Sequence, residues 1–164
     1  MVLLKNIIFT IFVPGTITIL IPYWILTRNF VAVPSQWGIP QYLALLPGIL
    51  GVSVYCRCVW DFASVGGGTP APVDPPKVLI VRGLYQYVRN PIYLGVLFVL
   101  LGEAVFCESW ALLRYAIGVS VLFHLFVIVY EEPSLRRKFG ESYERYCRSV
   151  RRWIPGKQYQ EAAS

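Results

Sequence analysis

Long runs of apolar residues, separated by short polar segments, dominate the chain. Residues 7–26 contain no charged side chain, and residues 29–56 are also uncharged. Each run is long enough to cross roughly 30 Å of hydrocarbon as a helix. Two further apolar runs follow Pro91. The pattern predicts four transmembrane helices within a single domain over residues 1–164, at about residues 6–27, 40–62, 91–107 and 110–131.

The last two predicted helices form a hairpin whose turn is centred on Glu108 and Ser109. Each helix carries one charged side chain, Glu103 in the first and Arg114 in the second. Charged groups inside a membrane span are costly and usually have a partner. Because the two residues are equally far from the turn, we expect them to form an ion pair inside the bundle.

The segment after Glu132 and the helix breaker Pro133 has a different pattern. Its apolar residues recur at intervals of three and four, which is typical of one face of a helix, and they are Leu135, Phe139, Tyr143, Tyr146, Val150 and Trp153. Arginines occupy the opposite face. This pattern predicts an amphipathic helix lying at the membrane interface, either as a surface anchor alone or also as a lid over a site.

Composition and charge support a membrane protein. The chain is 56% hydrophobic and 15% charged, which is unusual for a soluble globular protein. With the first helix starting in the cytoplasm, only Arg28 and Arg114 of the 15 basic residues lie outside. Basic residues are retained on the cytoplasmic side, so we expect both termini there. The net charge of +6 then reflects topology and anionic lipid rather than nucleic acid. The predicted fold is an all-α, polytopic membrane bundle.

The connection between the second and third predicted helices begins with three glycines and several prolines. A triple glycine can form a phosphate-binding loop, but this one follows a membrane helix and lacks the spacing of a nucleotide fingerprint. A flexible turn is the simpler interpretation. Residues 78–81 form either a short strand or an interfacial turn.

Two polar motifs converge at the cytoplasmic face of the predicted bundle. They are "RGLYQYVRNPIYLG" at residues 82–95 and "YEEP" at residues 130–133. By the hairpin count, His124 is level with Tyr93. His124 and Glu131 are seven residues apart and therefore share a helix face. His124 could move a proton or bind substrate, or it could be a buried histidine bonded to Tyr93 or to a carbonyl.

The side chains of these motifs suit one ligand in combination. Arg89 can bind a carboxylate with two hydrogen bonds. Tyr85 and Tyr93 offer rings for an adenine or a cation. Glu131 and Glu132 can accept hydrogen bonds from an ammonium or from ribose hydroxyls, or they could simply be an exposed acidic pair balancing nearby arginines. A carboxylate, an ammonium, an adenine and a ribose together belong to S-adenosylmethionine.

The sequences of the two motifs resemble those of the integral-membrane methyltransferases of the isoprenylcysteine carboxyl methyltransferase and phospholipid N-methyltransferase group. The likeness covers roughly residues 66–155. The matching positions are Arg89, Asn90, Pro91 and Tyr93, the pair Glu131 and Glu132, and then Phe139, Gly140, Tyr143 and Tyr146.

This resemblance implies methyl transfer from S-adenosylmethionine to a lipid-borne acceptor at the cytoplasmic membrane face. The implied cofactor-binding residues are Lys77, Val78, Leu79, Ile80, Tyr85, Asn90, Pro91, Ile92, Tyr93 and Glu131. The candidate catalytic residues are Arg89, His124 and Glu132. The acceptor is an isoprenylcysteine-type carboxylate, which needs no base, or a phospholipid amine, which must lose a proton.

Two positions depart from the eukaryotic prenylcysteine enzymes. Those enzymes have a histidine where Asn90 stands, and they have a substrate-binding arginine where this chain has Val127. Both departures argue against a prenylcysteine carboxylate as the acceptor.

Two other functions fit parts of the pattern. A relative acting as a membrane reductase would need a nicotinamide cofactor, and no nicotinamide fingerprint is recognisable. A small non-enzymatic scaffold or transporter would use the Arg89–Tyr93 motif only to turn the backbone into the membrane. Cofactor binding separates these functions from methyl transfer.

Overall fold

The described part of the chain consists of helices and irregular connections. A computed structural model describes residues 8, 10–31, 33–66 and 78–159. Its five helices are α1 (Thr10–Arg28), α2 (Ile39–Asp61), α3 (Pro91–Phe106), α4 (Trp110–Phe139) and α5 (Glu141–Ser149). Within these ranges no β-strand forms, and Val78 to Val81 are neither helix nor strand. The predicted all-α membrane fold is confirmed.

Three helices are long and apolar enough to cross a membrane: α1, α2 with its extension to Ser64, and α4. Their bounds agree with three of the predicted spans to within a few residues, except that α4 continues well past residue 131. The apolar helix α3 has only 16 residues, or about 24 Å at 1.5 Å per residue. Its crossing of the bilayer therefore stays a prediction.

Glycines allow α2 and α3 to pack with their backbones in close contact. A Cβ atom on Gly51 of α2 would lie 2.5 Å from the carbonyl oxygen of Gly95. A Cβ atom on Gly102 would lie 3.0 Å from the carbonyl oxygen of Ala44. Small residues at such positions are typical of membrane helix interfaces. The α2–α3 pair is therefore a rigid centre for the bundle.

The hairpin between α3 and α4 turns where the sequence predicts. Glu108 has a positive φ of 50°, and the Ser109 hydroxyl caps α4 by accepting a 3.3 Å hydrogen bond from the Leu112 amide. The predicted ion pair across the hairpin is wrong, however. Arg114 is exposed, whereas Glu103 faces α1 and its buried Oε2 has no hydrogen-bond partner among the described residues. Equal depth did not bring the two side chains onto facing surfaces.

The C-terminal region differs from the predicted single interfacial helix. Pro133 does not end α4, because the π-helical turn Val127–Glu131 precedes it and Pro133 lies in the first turn of the next α-helical stretch. The break comes at Gly140, whose φ of 53° favours glycine. The predicted apolar face does exist, but it packs against the protein: Tyr143 and Tyr146 are buried with Leu79 against them.

Candidate functional site

The segment before α3 is folded inward at Gly83. This glycine has a φ of 57°, and a Cβ atom there would lie 2.4 Å from Oδ2 of Asp61. The short 3₁₀ helix Gly83–Gln86 that follows places Tyr85 in the interior, with 7% of its surface exposed. Burial, together with the neighbouring Cys58 thiol, raises the pKa of Tyr85 well above its usual value. Tyr85 therefore contributes a neutral ring to the interior, and its buried hydroxyl has no hydrogen-bond partner among the described residues.

The residues after α5 run alongside this segment. The Arg89 amide donates a 2.9 Å hydrogen bond to the Arg151 carbonyl, and the Gly156 amide donates one of 2.9 Å to the Tyr87 carbonyl. The Asn90 side chain donates a 3.2 Å hydrogen bond to the Arg152 carbonyl. These bonds hold α5 and the residues that follow it over the start of α3.

A cavity of about 250 Å³ lies between the Gly83–Asn90 segment, the end of α4 and α5. We call it the main pocket. It is lined by Phe62, Leu79, Ile80, Tyr85, Arg89, Asn90, Tyr93, Phe126, Tyr130, Glu131, Ser134, Leu135, Lys138, Phe139, Tyr143 and Tyr146. Its volume is just below the roughly 300–1,000 Å³ of typical small-molecule sites.

One carboxylate is anchored in the main pocket by a tyrosine. The Tyr93 hydroxyl donates a 2.6 Å hydrogen bond to Oε2 of Glu131. Tyr93 lies in the first turn of α3, and Glu131 ends the π-helical turn of α4. A carboxylate has about four acceptor positions, so this bond leaves Glu131 able to accept from a ligand. Among the described residues, Glu131 is the only acidic side chain in the pocket wall.

Arg89 joins the pocket to a buried ion-pair cluster. Its Nη1 lies 3.3 Å from Oε1 of Glu132 and donates a 2.8 Å hydrogen bond to the Cys147 sulfur. Glu132 also accepts bonds of 2.6 and 3.0 Å from Arg152, which raise the pKa of that guanidinium. The Nε of Arg89 is buried without a hydrogen-bond partner among the described residues. Arg89 can therefore still donate to an anionic group of a ligand.

The structure brings seven of the predicted site residues together in the wall of the main pocket. They are Leu79, Ile80, Tyr85, Arg89, Asn90, Tyr93 and Glu131. Val78 is exposed, Pro91 is fully buried, and Ile92 packs beneath the pocket against Ile80 and Tyr85. Lys77 lies outside the described residues.

Two candidate catalytic residues do not reach the pocket. His124 is exposed on α4, and its Nδ1 accepts a 2.9 Å hydrogen bond from Trp153. The expectation that His124 and Glu131 share a helix face is wrong, because the π-helical turn between them changes the angular register of α4. The Glu132 side chain points to Arg89 and Arg152 instead of into the cavity. It is therefore a buried ion-pair partner of these arginines and not an exposed carboxylate that neutralises the charge of Arg136.

Several pocket residues were not singled out from the sequence as site residues. Leu135, Phe139, Tyr143 and Tyr146 were recognised as an amphipathic face, and the last three also as positions that match the family; both signals could have placed them here. Phe62 and Phe126 carried no such signal, because they are ordinary apolar residues of long membrane helices, and Tyr130 was noted only as the first residue of the second motif.

The fold and the pocket together define a helical membrane protein with a partly polar small-molecule pocket at one end of its bundle. Residues 72–142 match the family model described as phospholipid methyltransferase. This match confirms the resemblance to integral-membrane methyltransferases, over a range that contains the Arg89–Tyr93 motif, α3, and α4 with its glutamate pair. No solved structure matches the chain significantly.

Proposed function

We propose that this protein transfers a methyl group from S-adenosylmethionine to a lipid-borne acceptor. The family match supports a membrane methyltransferase, and the observation that carries the cofactor assignment is the pairing of Arg89 and Glu131 in one pocket. An arginine with a partnerless Nε suits a carboxylate, and a tyrosine-anchored carboxylate suits an ammonium. S-adenosylmethionine carries both groups at its amino-acid end, beside an adenosine for the aromatic wall.

When bound, the cofactor supplies an already activated methyl group, so the protein needs mainly to bind, orient and exclude water. Tyr85 and Tyr146 provide a dry wall, and the Tyr146 hydroxyl is itself satisfied by a 2.6 Å hydrogen bond to the Tyr85 carbonyl. If the acceptor is an amine, a base must take its proton; Glu131 lines the pocket, but in this proposal it already holds the ammonium of the cofactor. His124 and Glu132 are poorer candidates because neither lines the pocket.

The proposed active site faces the cytoplasm. The exposed basic residues Arg137, Arg145, Arg148 and Arg151 lie at the same end of the bundle as the main pocket. Basic residues accumulate on the cytoplasmic side of membrane proteins. The polar cofactor would then enter from water, while the lipid acceptor enters from the bilayer.

Calorimetric titration of the purified protein with S-adenosylmethionine tests the cofactor assignment. Incubation of membranes with methyl-labelled S-adenosylmethionine, followed by identification of the labelled lipid, tests the reaction and reveals the acceptor. Saturable binding and a labelled lipid are expected. Absence of both in folded protein would favour the scaffold, transporter or reductase alternatives.

A further inference from the structure

Two cavities extend from the main pocket along α1. A small cavity of about 50 Å³ shares Tyr93 with the main pocket and is also lined by Val13 and Phe123. A larger cavity of about 480 Å³ shares Pro14, Tyr55 and Val96 with the small one. We call the larger one the α1 cavity. Each cavity therefore has lining residues in common with the next one along α3.

The α1 cavity is mostly apolar and opens onto the exposed outer surface of the bundle. Its walls come from α1, from Val52 on α2, and from Val96 and Val99 on α3. Ile19 and Leu20 on the α1 side are largely exposed on the outer surface of the bundle. The Thr10 and Tyr55 hydroxyls at its inner end are bonded to each other at 2.8 Å. A hydrocarbon chain can therefore lie in this cavity without facing an unsatisfied hydroxyl there.

Glu103 is the charged residue at the far end of the α1 cavity. Its Oε2 is buried and has no hydrogen-bond partner among the described residues. Ten residues separate Glu103 from Tyr93 on α3, which corresponds to about 15 Å along the helix. An alkyl chain that reached Glu103 would strip water from the carboxyl group without offering a hydrogen bond, which is unfavourable.

We propose that the α1 cavity holds the hydrocarbon chain of the acceptor lipid, and that Glu103 limits the length of chain accepted. The inference rests on the proposed function, because the reacting end of the chain must reach Tyr93 and the main pocket. The chain lies along Val96 and Val99 and ends before Glu103, and its reacting end enters the main pocket when the side chains that line the small cavity move apart. Glu103 is thus a specificity-determining residue remote from the chemistry.

Filling the α1 cavity tests the first half of the proposal. Val99→Trp projects a large ring into the cavity, whereas Ile117→Trp places the same ring on the exposed surface of α4 as a matched control. In vesicles of total lipid extract, we expect Val99→Trp to lower methyl transfer by roughly tenfold or more, because it displaces several buried methylene groups. Its affinity for S-adenosylmethionine should equal that of Ile117→Trp.

The outcomes distinguish this proposal from the proposed function. A wild-type protein that binds no S-adenosylmethionine refutes the proposed function itself. If wild type methylates lipid and Val99→Trp transfers as well as Ile117→Trp, the α1 cavity does not hold the acceptor. If Val99→Trp fails to fold, Val52→Phe fills the cavity from the opposite wall and is judged by the same criterion.

Replacing Glu103 tests the second half. With a lipid extract of mixed chain lengths as substrate, mass spectrometry of the methylated products should show a shift to longer chains in Glu103→Leu. Glu103→Gln keeps a polar group at the end of the cavity and should retain the wild-type distribution. An unchanged distribution in Glu103→Leu, with transfer intact, would overturn the role of Glu103.

Discussion

The Tyr93 hydroxyl lies 2.6 Å from Oε2 of Glu131, and this hydrogen bond joins the first turn of α3 to the π-helical turn of α4. Tyr93 also contacts Phe123 and Trp153 through its ring. The tyrosine ring is thus held by two aromatic neighbours while its hydroxyl holds the carboxylate. A preorganised acceptor of this kind binds a cation without first having to reorganise.

Removing the charge of Glu131 should weaken cofactor binding. Glu131→Gln keeps the shape and a hydrogen-bond acceptor for Tyr93, so folding should be nearly unchanged. Affinity for S-adenosylmethionine should fall by about 1.5–3 kcal/mol, the usual value of a charge-assisted hydrogen bond. Calorimetry of Glu131→Gln beside Glu141→Gln, an exposed carboxylate on α5, measures the difference. Equal affinity in both variants would remove Glu131 from the site.

Removing Glu132 should cost stability. Its side chain is 9% exposed and is shared by two arginines, so Glu132→Gln leaves positive charge poorly paired. We expect a loss of about 2–3 kcal/mol in the free energy of unfolding. Glu144→Gln breaks the exposed pair with Arg136 and should cost less than about 1 kcal/mol. Thermal unfolding in detergent compares the two, and equal losses would contradict the buried cluster.

A side chain at Gly140 should strain the turn between α4 and α5. Nothing lies within 4 Å of the position that a Cβ atom would take, so the strain comes only from the φ of 53°. Gly140→Ala should destabilise the protein by about 1–3 kcal/mol. Gly118→Ala, at an equally open position inside α4, should be neutral or stabilising by up to about 1 kcal/mol. Chemical denaturation in mild detergent gives both values, and an unstrained Gly140→Ala would show that the turn is not as described.

Glu103 and Arg114 should behave independently. Because Arg114 is exposed and Glu103 faces the α1 cavity, replacing both with leucine should change stability by the sum of the single effects. Glu103→Leu alone should be tolerated, since it removes a buried oxygen that has no partner among the described residues. A double-mutant cycle on unfolding free energies checks this. A coupling energy above about 1 kcal/mol would restore the ion pair predicted from the sequence.

The proposed orientation can be tested by cysteine labelling in intact cells. Ser35→Cys lies in the exposed α1–α2 connection, and Ser142→Cys lies on the exposed surface of α5. A membrane-impermeant thiol reagent added outside should label the first and not the second, which reacts only after permeabilisation. The parent protein reports the background from its own cysteines. Labelling at residue 142 in intact cells would reverse the topology.

The sequence predicted those parts of the site that depend on local pattern. The end of one apolar run and the start of the next located the hairpin turn at Glu108 and Ser109, and counting from that turn brought the Arg89–Tyr93 motif and Glu131 to one end of the bundle. Prediction from the sequence failed where a local irregularity in a helix changes the direction in which the following side chains point. The π-helical turn Val127–Glu131 cannot be read from a 3.6-residue period, and it turned His124 away from the pocket.

Contacts between residues far apart in the sequence were the second feature that the sequence could not predict. Glu132 lies 20 residues before Arg152, and the two meet only because the chain reverses at Gly140 and runs back along the Gly83–Asn90 segment. A pattern of apolar residues cannot predict such a partner. The signal for the chain reversal was Gly140, because glycine readily adopts a positive φ. It was missed because the spacing of apolar residues typical of a helix continues on both sides of Gly140.

The backbone bonds from Arg89 and Gly156 that join the two ends of the site also set an order of assembly. During synthesis, helices α1 to α4 are made before the residues that follow α5. Until those residues emerge and settle beside Tyr87, the Glu132 carboxylate lacks Arg152 and the pocket lacks its cover. Helix α5 is therefore held over the main pocket only once the residues that follow it have folded beside the Gly83–Asn90 segment.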